Sequence, residues 1–355
     1  MRRVLIAAGG TGGHFYPGLV AAQELKARSW EPLLIVKKDD PARSRLETAG
    51  LACLEIDLLG LPRQLGLEQI VFTVKLLASL RLLSRVARDF KPDLVVGMGG
   101  YLTFPAAYAA WRRRIPLALH ESNAILGLAN AASLRFRASL FWGLPPVKGN
   151  GNIVGTPIRP ALHKCKNTEQ ARRALGLDPA RKTILVFGGS QGAEALNNAM
   201  PAAVKSAGVY AQVLHLAGQG KTAATRASYQ RVGLTATILD YLDDMASAYA
   251  AADVVVCRSG ASTLAELAAQ RKAAILVPYP RAAANHQDAN ARVFERTGAA
   301  MRIAETELAT KLGPAIADLL KSPTAMMSAA YDDLGLPPAE KTTALFIDAL
   351  ERLVL

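Results

Sequence analysis

The sequence has few cysteines, few aromatic residues and no long hydrophobic run, and these shortages exclude several classes of protein. Three widely spaced cysteines (Cys53, Cys165 and Cys257) exclude a disulfide scaffold and a zinc cluster, and they are typical of a reducing cytoplasm. No uncharged apolar stretch reaches the roughly 18 residues of a membrane-spanning helix. The apolar start runs into a glycine-rich loop rather than a cleavage site, so we expect no signal peptide.

The sequence is instead rich in apolar residues and positive charge. Its 355 residues are 51% hydrophobic, which excludes a disordered protein and suggests two domains. Residues 1–159 carry 21 basic and 11 acidic residues (net +10), and residues 160–355 carry 21 and 18 (net +3). The excess indicates an anionic partner (nucleic acid, phosphorylated substrate or anionic lipid) that meets the first half.

The two halves of the chain open with the same pattern. Residues 4–8 form an apolar strand that leads into GGTGGH and a helix predicted over 19–27, and residues 183–187 form one that leads into GGSQGA. Later in each half an apolar strand again meets a glycine-containing turn and a helix start, at 92–107 and 252–267. Such strands alternating with helices predict parallel sheets covered on both faces. We therefore predict an α/β protein with two Rossmann-like domains facing across a cleft, with ligands at the carboxyl ends of the strands.

Two breaks in the pattern predict the domain boundaries. Glycine, proline and asparagine concentrate between residues 150 and 165, and LGLPP precedes an amphipathic helix predicted from Ala339 to Leu353. We predict an N-terminal domain over residues 1–158 and a C-terminal domain over 159–335. Residues 336–355 are expected to dock back on the first domain.

The first glycine loop, Gly9-Gly-Thr-Gly-Gly-His14, is a candidate diphosphate site. Its glycine spacing differs from the dinucleotide fingerprint, but its backbone N–H groups and the following helix N-terminus would hold a diphosphate. A tight strand-to-helix turn is the alternative. His14 is a candidate general base or phosphate donor, and a purely structural histidine fits the sequence equally well.

The second glycine loop, Gly188-Gly-Ser-Gln-Gly192, adds the Ser190 hydroxyl as a donor to a phosphate oxygen. The same letters match the nucleophile elbow G-x-S-x-G of hydrolases, which would need Asp and His downstream. Asp253 and His286 are available in that order. A two-domain repeat does not suit the single-sheet hydrolase fold, so the phosphate loop is favoured.

Polar side chains follow other predicted strands, which include residues 115–119 and 273–277. Glu266, in RSGASTLAE, can accept two hydrogen bonds from a ribose diol or complete a capping box near Ser262. The segments HESN (120–123) and NHQD (285–288) suit recognition of sugar hydroxyls, or they act as helix caps. Arg159, in GTPIR at the linker, is either a phosphate clamp or a solvated cation.

Residues 65–90 are predicted to form an amphipathic helix with an unusually apolar face. Its apolar positions are Ile70, Val71, Val74, Leu77, Leu80 and Leu83, interleaved with Lys75, Arg81, Arg85 and Arg88. Trp111, Arg112, Arg113 and Arg114 add an aromatic ring and three cations in the same half. The combination predicts an interfacial patch for an anionic membrane. The alternative is a core-packed helix with a solvated basic face.

Residues with metal-ligand spacing are scarce. No His/Cys cluster occurs, and Asp243-Asp244 is an acidic pair without further ligands at usable spacing. We expect no essential metal and no other cofactor.

Together the motifs resemble those of the MurG family, bacterial N-acetylglucosaminyltransferases of peptidoglycan synthesis. GGTGGHFYPG, GMGGY, HESN, GTPIR, GGSQGA, YLDDM, RSGASTLAE and NHQDANA follow the order of its signature segments over about residues 4–300. The resemblance implies the GT-B architecture and an inverting transfer of GlcNAc from UDP-GlcNAc to the 4-hydroxyl of MurNAc in lipid I (undecaprenyl-pyrophosphoryl-MurNAc-pentapeptide), giving lipid II. It also implies a peripheral position on the cytoplasmic face of the inner membrane, and it is compatible with partners among other cell-wall and division proteins.

The resemblance also implies roles for individual residues. The acceptor diphosphate would meet Gly12, Gly13, His14, Gly99, Gly100 and Tyr101. The donor UDP-GlcNAc would meet Thr11, Gly12, Gly13, Asn123, Arg159, Ser190, Leu242, Ala261, Ser262, Thr263, Glu266, His286 and Gln287. Within this set Arg159 and Ser190 would contact phosphates. Leu242 would contact uracil and Glu266 the ribose, while Asn123, Ala261, His286 and Gln287 would hold the sugar hydroxyls.

Two positions depart from the family pattern. Ser122 stands where the family segment commonly reads HEQN, so the resemblance carries over no contact for the side chain at this position. A second Gln can replace His286 in the family, so Gln287 is the firmer assignment. Glycine loops, helix N-termini and an arginine can stabilise a UDP leaving group without a metal. His14 is the first candidate for the base that activates the acceptor hydroxyl.

Two other functions compete with this interpretation. Another GT-B transferase or a UDP-GlcNAc 2-epimerase would share the fold, but an epimerase has no need of a membrane patch. A nonenzymatic nucleotide- or nucleic-acid-binding protein would fit the pI of about 9.8. Only 6% aromatic residues and no recognised nucleic-acid module argue against a nucleic-acid partner.

Overall fold

A computed structural model describes residues 1–9, 12–40, 43–61, 66–321 and 325–355. The chain forms two units, one of residues 1–159 with 337–355 and the other of residues 160–336. Among the described residues, no helix combines the length and apolarity needed to cross a membrane.

The first unit is built on a parallel sheet with helices between its strands. Its strands are β1 (Arg2–Ala7), β2 (Trp30–Lys37), β3 (Ala52–Ile56), β4 (Leu94–Gly97), β5 (Leu117–Glu121), β6 (Ser139–Trp142) and β7 (Asn152–Ile153). Its first helices are α1 (Gly12–Ala27), α2 (Arg43–Thr48), α3 (Leu67–Phe90), α4 (Thr103–Arg113) and α5 (Leu128–Ser133). The strand order is β3-β2-β1-β4-β5-β6-β7, so the order reverses between β1 and β4.

The second unit repeats this plan. Its strands are β8 (Lys182–Phe187), β9 (Ala211–Leu216), β10 (Thr237–Leu239), β11 (Val254–Cys257), β12 (Ala274–Leu276) and β13 (Met301–Arg302). Its helices are α6 (Thr168–Ala174), α7 (Glu194–Ala207), α8 (Thr222–Arg231), α9 (Met245–Ala251), α10 (Ala261–Gln270), α11 (His286–Thr297), α12 (Leu308–Lys321) and α13 (Ala325–Ala329). The sheet order is β10-β9-β8-β11-β12-β13.

The strands are apolar because both faces of each sheet are covered. Val4, Leu5 and Ile6 of β1 have no exposed surface, and neither do Val254 to Cys257 of β11. All described strand pairs in both sheets are parallel. The predicted class, α/β with two Rossmann-like domains, is confirmed, and their arrangement across a cleft stays a prediction.

The last helix, α14 (Ala339–Glu351), packs within the first unit. Phe346 is buried, with its ring 5.0 Å from the imidazole of His120 and 5.8 Å from the ring of Phe141. The guanidinium of Arg28 on α1 pairs with Asp348 (2.5 Å) and Glu351 (2.9 Å) of α14. Aromatic packing and ion pairs therefore join the end of the chain to its beginning.

Three predicted boundaries differ from the structure. The helix predicted from residue 19 begins at Gly12, because the last glycines of the loop form its first turn. The strand predicted over 115–119 extends through Glu121. His120 and Glu121 therefore belong to the strand and are buried, instead of following it. Helix α3 starts at Leu67, and residue 65 of its predicted range lies outside the described residues.

His215 on β9 is a fully buried histidine of the second unit. The amide of Asn197 donates to the carbonyl of Ala217, so its Oδ1 accepts from Nε2–H of His215 (3.0 Å). The hydroxyl of Tyr229 then donates to Nδ1 (3.1 Å). Burial lowers the pKa of His215 to about 4.

We predict that this histidine makes the second unit sensitive to acid. An unfolded histidine has a pKa of about 6.5, so the stabilisation is complete above that pH and is lost as the pH falls toward the folded value. Between pH 7.5 and 5, the free energy of urea unfolding should fall by about 2 kcal/mol more in the wild type than in His215→Gln. The variant keeps a side chain that can donate and accept. Equal pH dependence in the two proteins would contradict the assignment.

Candidate functional site

The predicted site loops lie at the switch point of each sheet. In the first unit, the loops that follow β1 and β4 leave neighbouring strands where the strand order reverses. In the second unit, the loops that follow β8 and β11 do the same. Ligands of open parallel sheets bind beyond the carboxyl ends of the strands at such points. Each unit therefore has one candidate site with two loops.

In the first unit, the two glycine loops meet at His14. A Cβ added to Gly99 would lie 2.8 Å from Cδ2 of His14, and one added to Gly100 would lie 3.1 Å from its Nδ1. Both glycines have positive φ (+93° and +74°). The Thr103 hydroxyl donates to the carbonyl of Gly99 (2.9 Å) and anchors the turn. The imidazole therefore packs on a backbone turn that has no side chains.

Most of the predicted acceptor-diphosphate set shares this place. Gly12, Gly13 and His14 form the first turn of α1, a helix of 16 residues whose first backbone N–H groups point toward its N-terminus. Tyr101 follows the glycine turn, and burial raises the pKa of its phenol. Thr11 lies outside the described residues. The geometry offers N–H donors and an imidazole in one place, which suits an anionic group.

Arg159 lies beside the same helix. Its guanidinium carbon is 5.5 Å from the ring centroid of Tyr16 on α1, and that of Arg45 on α2 is 5.6 Å from it. Cations within about 6 Å of an aromatic ring are attracted to its face. Arg159 is half-buried rather than fully solvated. Tyr16 and Arg45 were not predicted: Tyr16 stands two residues after the glycine loop, but nothing in the sequence brings Arg45 near that loop.

Ser122 and His120 form a buried pair at the end of β5. The carbonyl of Gly155 can only accept, so Nε2 of His120 donates to it (2.9 Å) and Nδ1 is left to accept from the Ser122 hydroxyl (3.2 Å). Burial lowers the pKa of His120 and favours this neutral ring. Ser122 is 2% exposed. The residue that departs from the family pattern therefore serves the fold here, and Asn123 is the first half-exposed residue after the strand.

In the second unit, the loop of residues 188–192 is shaped by glycines. A Cβ on Gly192 (φ +70°) would lie 1.9 Å from the carbonyl oxygen of Ala217. Lys221 donates to the carbonyl of Gln191 (2.8 Å). Ser190 is exposed at the tip of the loop. A small loop with an exposed hydroxyl is consistent with a phosphate site.

The nucleophile-elbow alternative does not fit the structure. Asp253 lies just before β11, at the amino end of the sheet, where it pairs with Arg172 (2.6 Å) and accepts from the backbone N–H of Thr183 (2.6 Å). Ser190 follows β8 at the carboxyl end of the same sheet. The serine and the aspartate therefore lie at opposite ends of the parallel strands. The residues proposed for a hydrolase triad cannot act together.

Helix α10 carries the next group of predicted donor residues. It begins at Ala261, with Ser262 and Thr263 in its first turn and Glu266 in its second. The capping box considered for Glu266 is wrong, because the N-cap residue is Gly260 and has no side chain. Glu266 instead accepts from the Tyr249 hydroxyl (2.9 Å).

The loop before α9 holds Leu242, which is half-buried. Asp244 of the same segment caps α9 through the backbone N–H of Ser247 (3.1 Å) and pairs with Lys166 (2.7 Å). This acidic residue therefore has a structural role. Among the described residues, no group of three His, Cys, Asp or Glu could hold a metal ion, and the expectation of a metal-free reaction stays a prediction.

Gln287 is held against the same end of the sheet. The Ser259 hydroxyl donates to its carbonyl (2.8 Å), and its side-chain Oε1 accepts from the backbone N–H of Tyr279 (2.9 Å). Arg258, which sequence reasoning left without a role, is 8% exposed and donates to the carbonyls of Val277 and Pro278 (both 3.2 Å). A buried cation therefore braces the loop that presents Gln287.

His286 follows a strained segment. Ala284 (φ 49°) and Asn285 (φ 54°) both occupy the left-handed region, which is costly for residues other than glycine. Nδ1 of His286 donates to the carbonyl of Ala283 (2.7 Å). Strain of this kind is concentrated at functional sites.

The predicted membrane patch is exposed over most of its residues. Ile70 is 62% exposed, Val74 61% and Trp111 50%. Leu77, Arg81, Arg85, Arg112, Arg113 and Arg114 are also exposed. Lys75 is half-buried and pairs with Asp57 (2.8 Å). Leu83, expected on the same face, is fully buried in the core beneath α3. The exposed side chains of Leu59 (47%) and Leu61 (63%) were not predicted, although the sequence shows these two apolar residues on either side of a glycine.

Comparison with known proteins places the chain among glycosyltransferases. Residues 4–142 match the glycosyltransferase family 28 N-terminal domain, and residues 183–342 match its C-terminal domain. The chain is 39% identical to a UDP-N-acetylglucosamine–N-acetylmuramyl-(pentapeptide) pyrophosphoryl-undecaprenol N-acetylglucosamine transferase of Elusimicrobium minutum, over 99% of this chain and 100% of the relative. It is 34% identical to the enzyme of the same name from Dechloromonas aromatica, over 97% of each chain.

Solved structures agree with these matches. The crystal structure of Acinetobacter baumannii MurG superposes with a TM-score of 0.80 at 29% identity, covering 99% of this chain and 100% of that one. The glycosyltransferase of kitacinnamycin gives a TM-score of 0.72 at 16% identity, covering 100% and 99%, and shows likeness of fold alone.

We predict that Gly100→Ala displaces His14. The new Cβ would lie 3.0 Å from the carbonyl oxygen of Gly9 and 3.1 Å from Nδ1 of His14, in a backbone conformation that alanine avoids. Gly149→Ala is the matched control, because its φ is +77° but no atom lies within 4 Å. Both should lose about 1 kcal/mol to backbone strain. Only Gly100→Ala should also shift the NMR resonances of the His14 imidazole, and an unchanged His14 signal would contradict the packing.

Proposed function

The chain belongs to glycosyltransferase family 28, and from this we propose that it catalyses the reaction after which its relatives are named. It transfers GlcNAc from UDP-GlcNAc to the 4-hydroxyl of MurNAc in pyrophosphoryl-undecaprenol-linked MurNAc-pentapeptide (lipid I), giving lipid II for peptidoglycan synthesis. The observation that carries the proposal is the packing of His14 on the Gly99–Gly100 turn at the N-terminus of α1. That place combines anion-binding N–H groups with a group that can take a proton.

The reaction is a displacement at the anomeric carbon of GlcNAc. The acceptor hydroxyl oxygen forms a bond to C1 as the bond between C1 and the β-phosphate oxygen of UDP breaks. The hydroxyl proton passes to a base, for which His14 is the candidate, and UDP leaves with the bonding electrons. The product has inverted configuration because attack and departure occur on opposite faces of the sugar.

The second unit supplies most of the proposed donor contacts. The 188–192 loop with Ser190 is proposed to meet the diphosphate, Leu242 uracil, and Glu266 the ribose. Ala261, Ser262, Thr263, His286 and Gln287 complete this set. From the first unit, Arg159 is proposed to stabilise the charge that develops on the leaving phosphate. Positioned N–H groups and a cation can do this without a metal, in keeping with the expectation of no cofactor.

The exposed patch on α3 and α4 is proposed to hold the enzyme on an anionic membrane surface. Its exposed apolar side chains and the cations Arg81, Arg85 and Arg112 to Arg114 combine burial in the interface with attraction to anionic lipid. The enzyme would thereby bind the lipid-linked acceptor at the membrane that contains it. This corresponds to a peripheral location on the cytoplasmic face of the inner membrane.

The proposed reaction is tested by transfer of radiolabelled GlcNAc from UDP-GlcNAc to a short-chain lipid I analogue, with and without a chelator. We expect product in both cases. His14→Ala should lower kcat by about 100-fold or more at saturating acceptor, the usual contribution of a general base. Absence of product from the wild type would overturn the function, and near-normal turnover of His14→Ala would remove the base assignment alone.

The membrane proposal is tested by binding to vesicles that contain an anionic phospholipid. Arg112→Glu with Arg113→Glu should weaken binding by about 10-fold or more, since each basic residue near such a surface contributes about 1 kcal/mol. Lys205→Glu with Arg226→Glu makes the same charge change at exposed positions of the second unit and should have a smaller effect. Equal loss in both pairs would point to overall charge, and no loss would count against the patch.

A further inference from the structure

Glu121, the last residue of β5, is a buried carboxylate with four hydrogen-bond donors. It is 3% exposed. Its Oε1 accepts from the backbone N–H of Asn123 (3.1 Å) and from Nδ2 of the same residue (3.0 Å). Its Oε2 accepts from the backbone N–H of Gly127 (2.9 Å) and from Nδ2 of Asn130 (2.8 Å). A buried charge is tolerated only when it is satisfied in this way.

The carboxylate determines which way the Asn123 amide points. An ionised carboxylate can only accept hydrogen bonds, so the Asn123 atom that faces Glu121 is the NH₂ group. The carbonyl Oδ1 is therefore directed away from Glu121. A flipped amide would place Oδ1 against the carboxylate and lose an N–H donor. Asn123 thus presents an acceptor atom at the carboxyl edge of the sheet.

We infer that Glu121 is a positioning residue for the donor sugar. It holds Asn123 so that Oδ1 accepts a hydrogen bond from one hydroxyl of the GlcNAc of UDP-GlcNAc. The inference rests on the proposed function and adds to it a residue that does not touch the substrate. It also explains why a carboxylate is buried at the end of a strand, where an apolar residue would be less costly.

The neighbouring contacts indicate that the strand end does not depend on Glu121 alone. His120 is bonded to the carbonyl of Gly155, and Ser122 is bonded to His120. Glu121→Gln is close to the natural side chain in size and can still accept from one pair of donors. It is therefore expected to fold and to loosen the orientation of Asn123.

The test compares kcat/KM for UDP-GlcNAc and for its 3-, 4- and 6-deoxy analogues in four proteins: the wild type, Glu121→Gln, Asn123→Ala and the double variant. Each single variant should lose about 10- to 100-fold with UDP-GlcNAc, the range for a lost hydrogen bond to a polar ligand group. The double variant should be no worse than Asn123→Ala, because Glu121 acts through Asn123. With the deoxy analogue that lacks the hydroxyl bound by Asn123, kcat/KM should be the same in all four proteins.

Binding of UDP separates positioning from a damaged fold. UDP lacks the GlcNAc, so its Kd should be unchanged in Glu121→Gln. A loss that is the same for every deoxy analogue, a loss that adds to that of Asn123→Ala, or normal activity of Glu121→Gln would overturn the inference while the wild type still transfers GlcNAc. A wild type without transfer would overturn the proposed function and the inference with it.

Asn123→Asp provides a second variant if Glu121→Gln does not fold. It keeps an acceptor oxygen but lacks the NH₂ group, and it places a second carboxylate beside Glu121. The inference expects the same dependence on a single sugar hydroxyl. Near-normal activity with all analogues would show that the orientation of residue 123 is unimportant, and would overturn the inference.

Discussion

The close approach of the His14 ring to the Gly99–Gly100 backbone is the constraint on which the first site depends. Neither glycine has room for a Cβ on the side of the imidazole, and both have φ values that other residues avoid. The Thr103 hydroxyl of α4 donates to the carbonyl of Gly99 and anchors this turn. A histidine, a helix N-terminus and a bare backbone turn are thereby combined at the point where the sheet order reverses. Any side chain at these positions would occupy the space that the ring fills.

Buried polar groups perform the same task around the other site residues. Glu121 orients Asn123, the neutral His120 ties the end of β5 to Gly155, and Arg258 braces the loop that presents Gln287. Each has at least two hydrogen-bond partners, which makes its position well defined. The two units thus use one plan. In each unit a half-exposed residue, Asn123 or Gln287, is hydrogen-bonded to a buried residue behind it, Glu121 or Ser259.

The sequence allowed the strand–turn–helix plan to be predicted because apolar runs and glycine turns are local signals. The loops after β1, β4, β8 and β11 were found in this way. The partners of the site residues could not be found, because they depend on how separate helices, strands and loops pack against one another. Glu266 meets Tyr249 on another helix, and Leu83 is buried although its helical face is otherwise exposed. The extension of β5 through Glu121 was missed because polar residues normally end an apolar strand, and here their partners are buried with them.

Binding of the acceptor at the His14 turn can be observed by NMR of the histidine side chains. The sequence has five histidines, so the imidazole resonances can be assigned individually. During titration with a short-chain lipid I analogue, the His14 signals should shift with saturation. The signals of the buried His120 and His215 should stay nearly unchanged. If the protein is saturated by an acceptor that is turned over and the His14 signals do not change, the acceptor does not bind at the His14 turn.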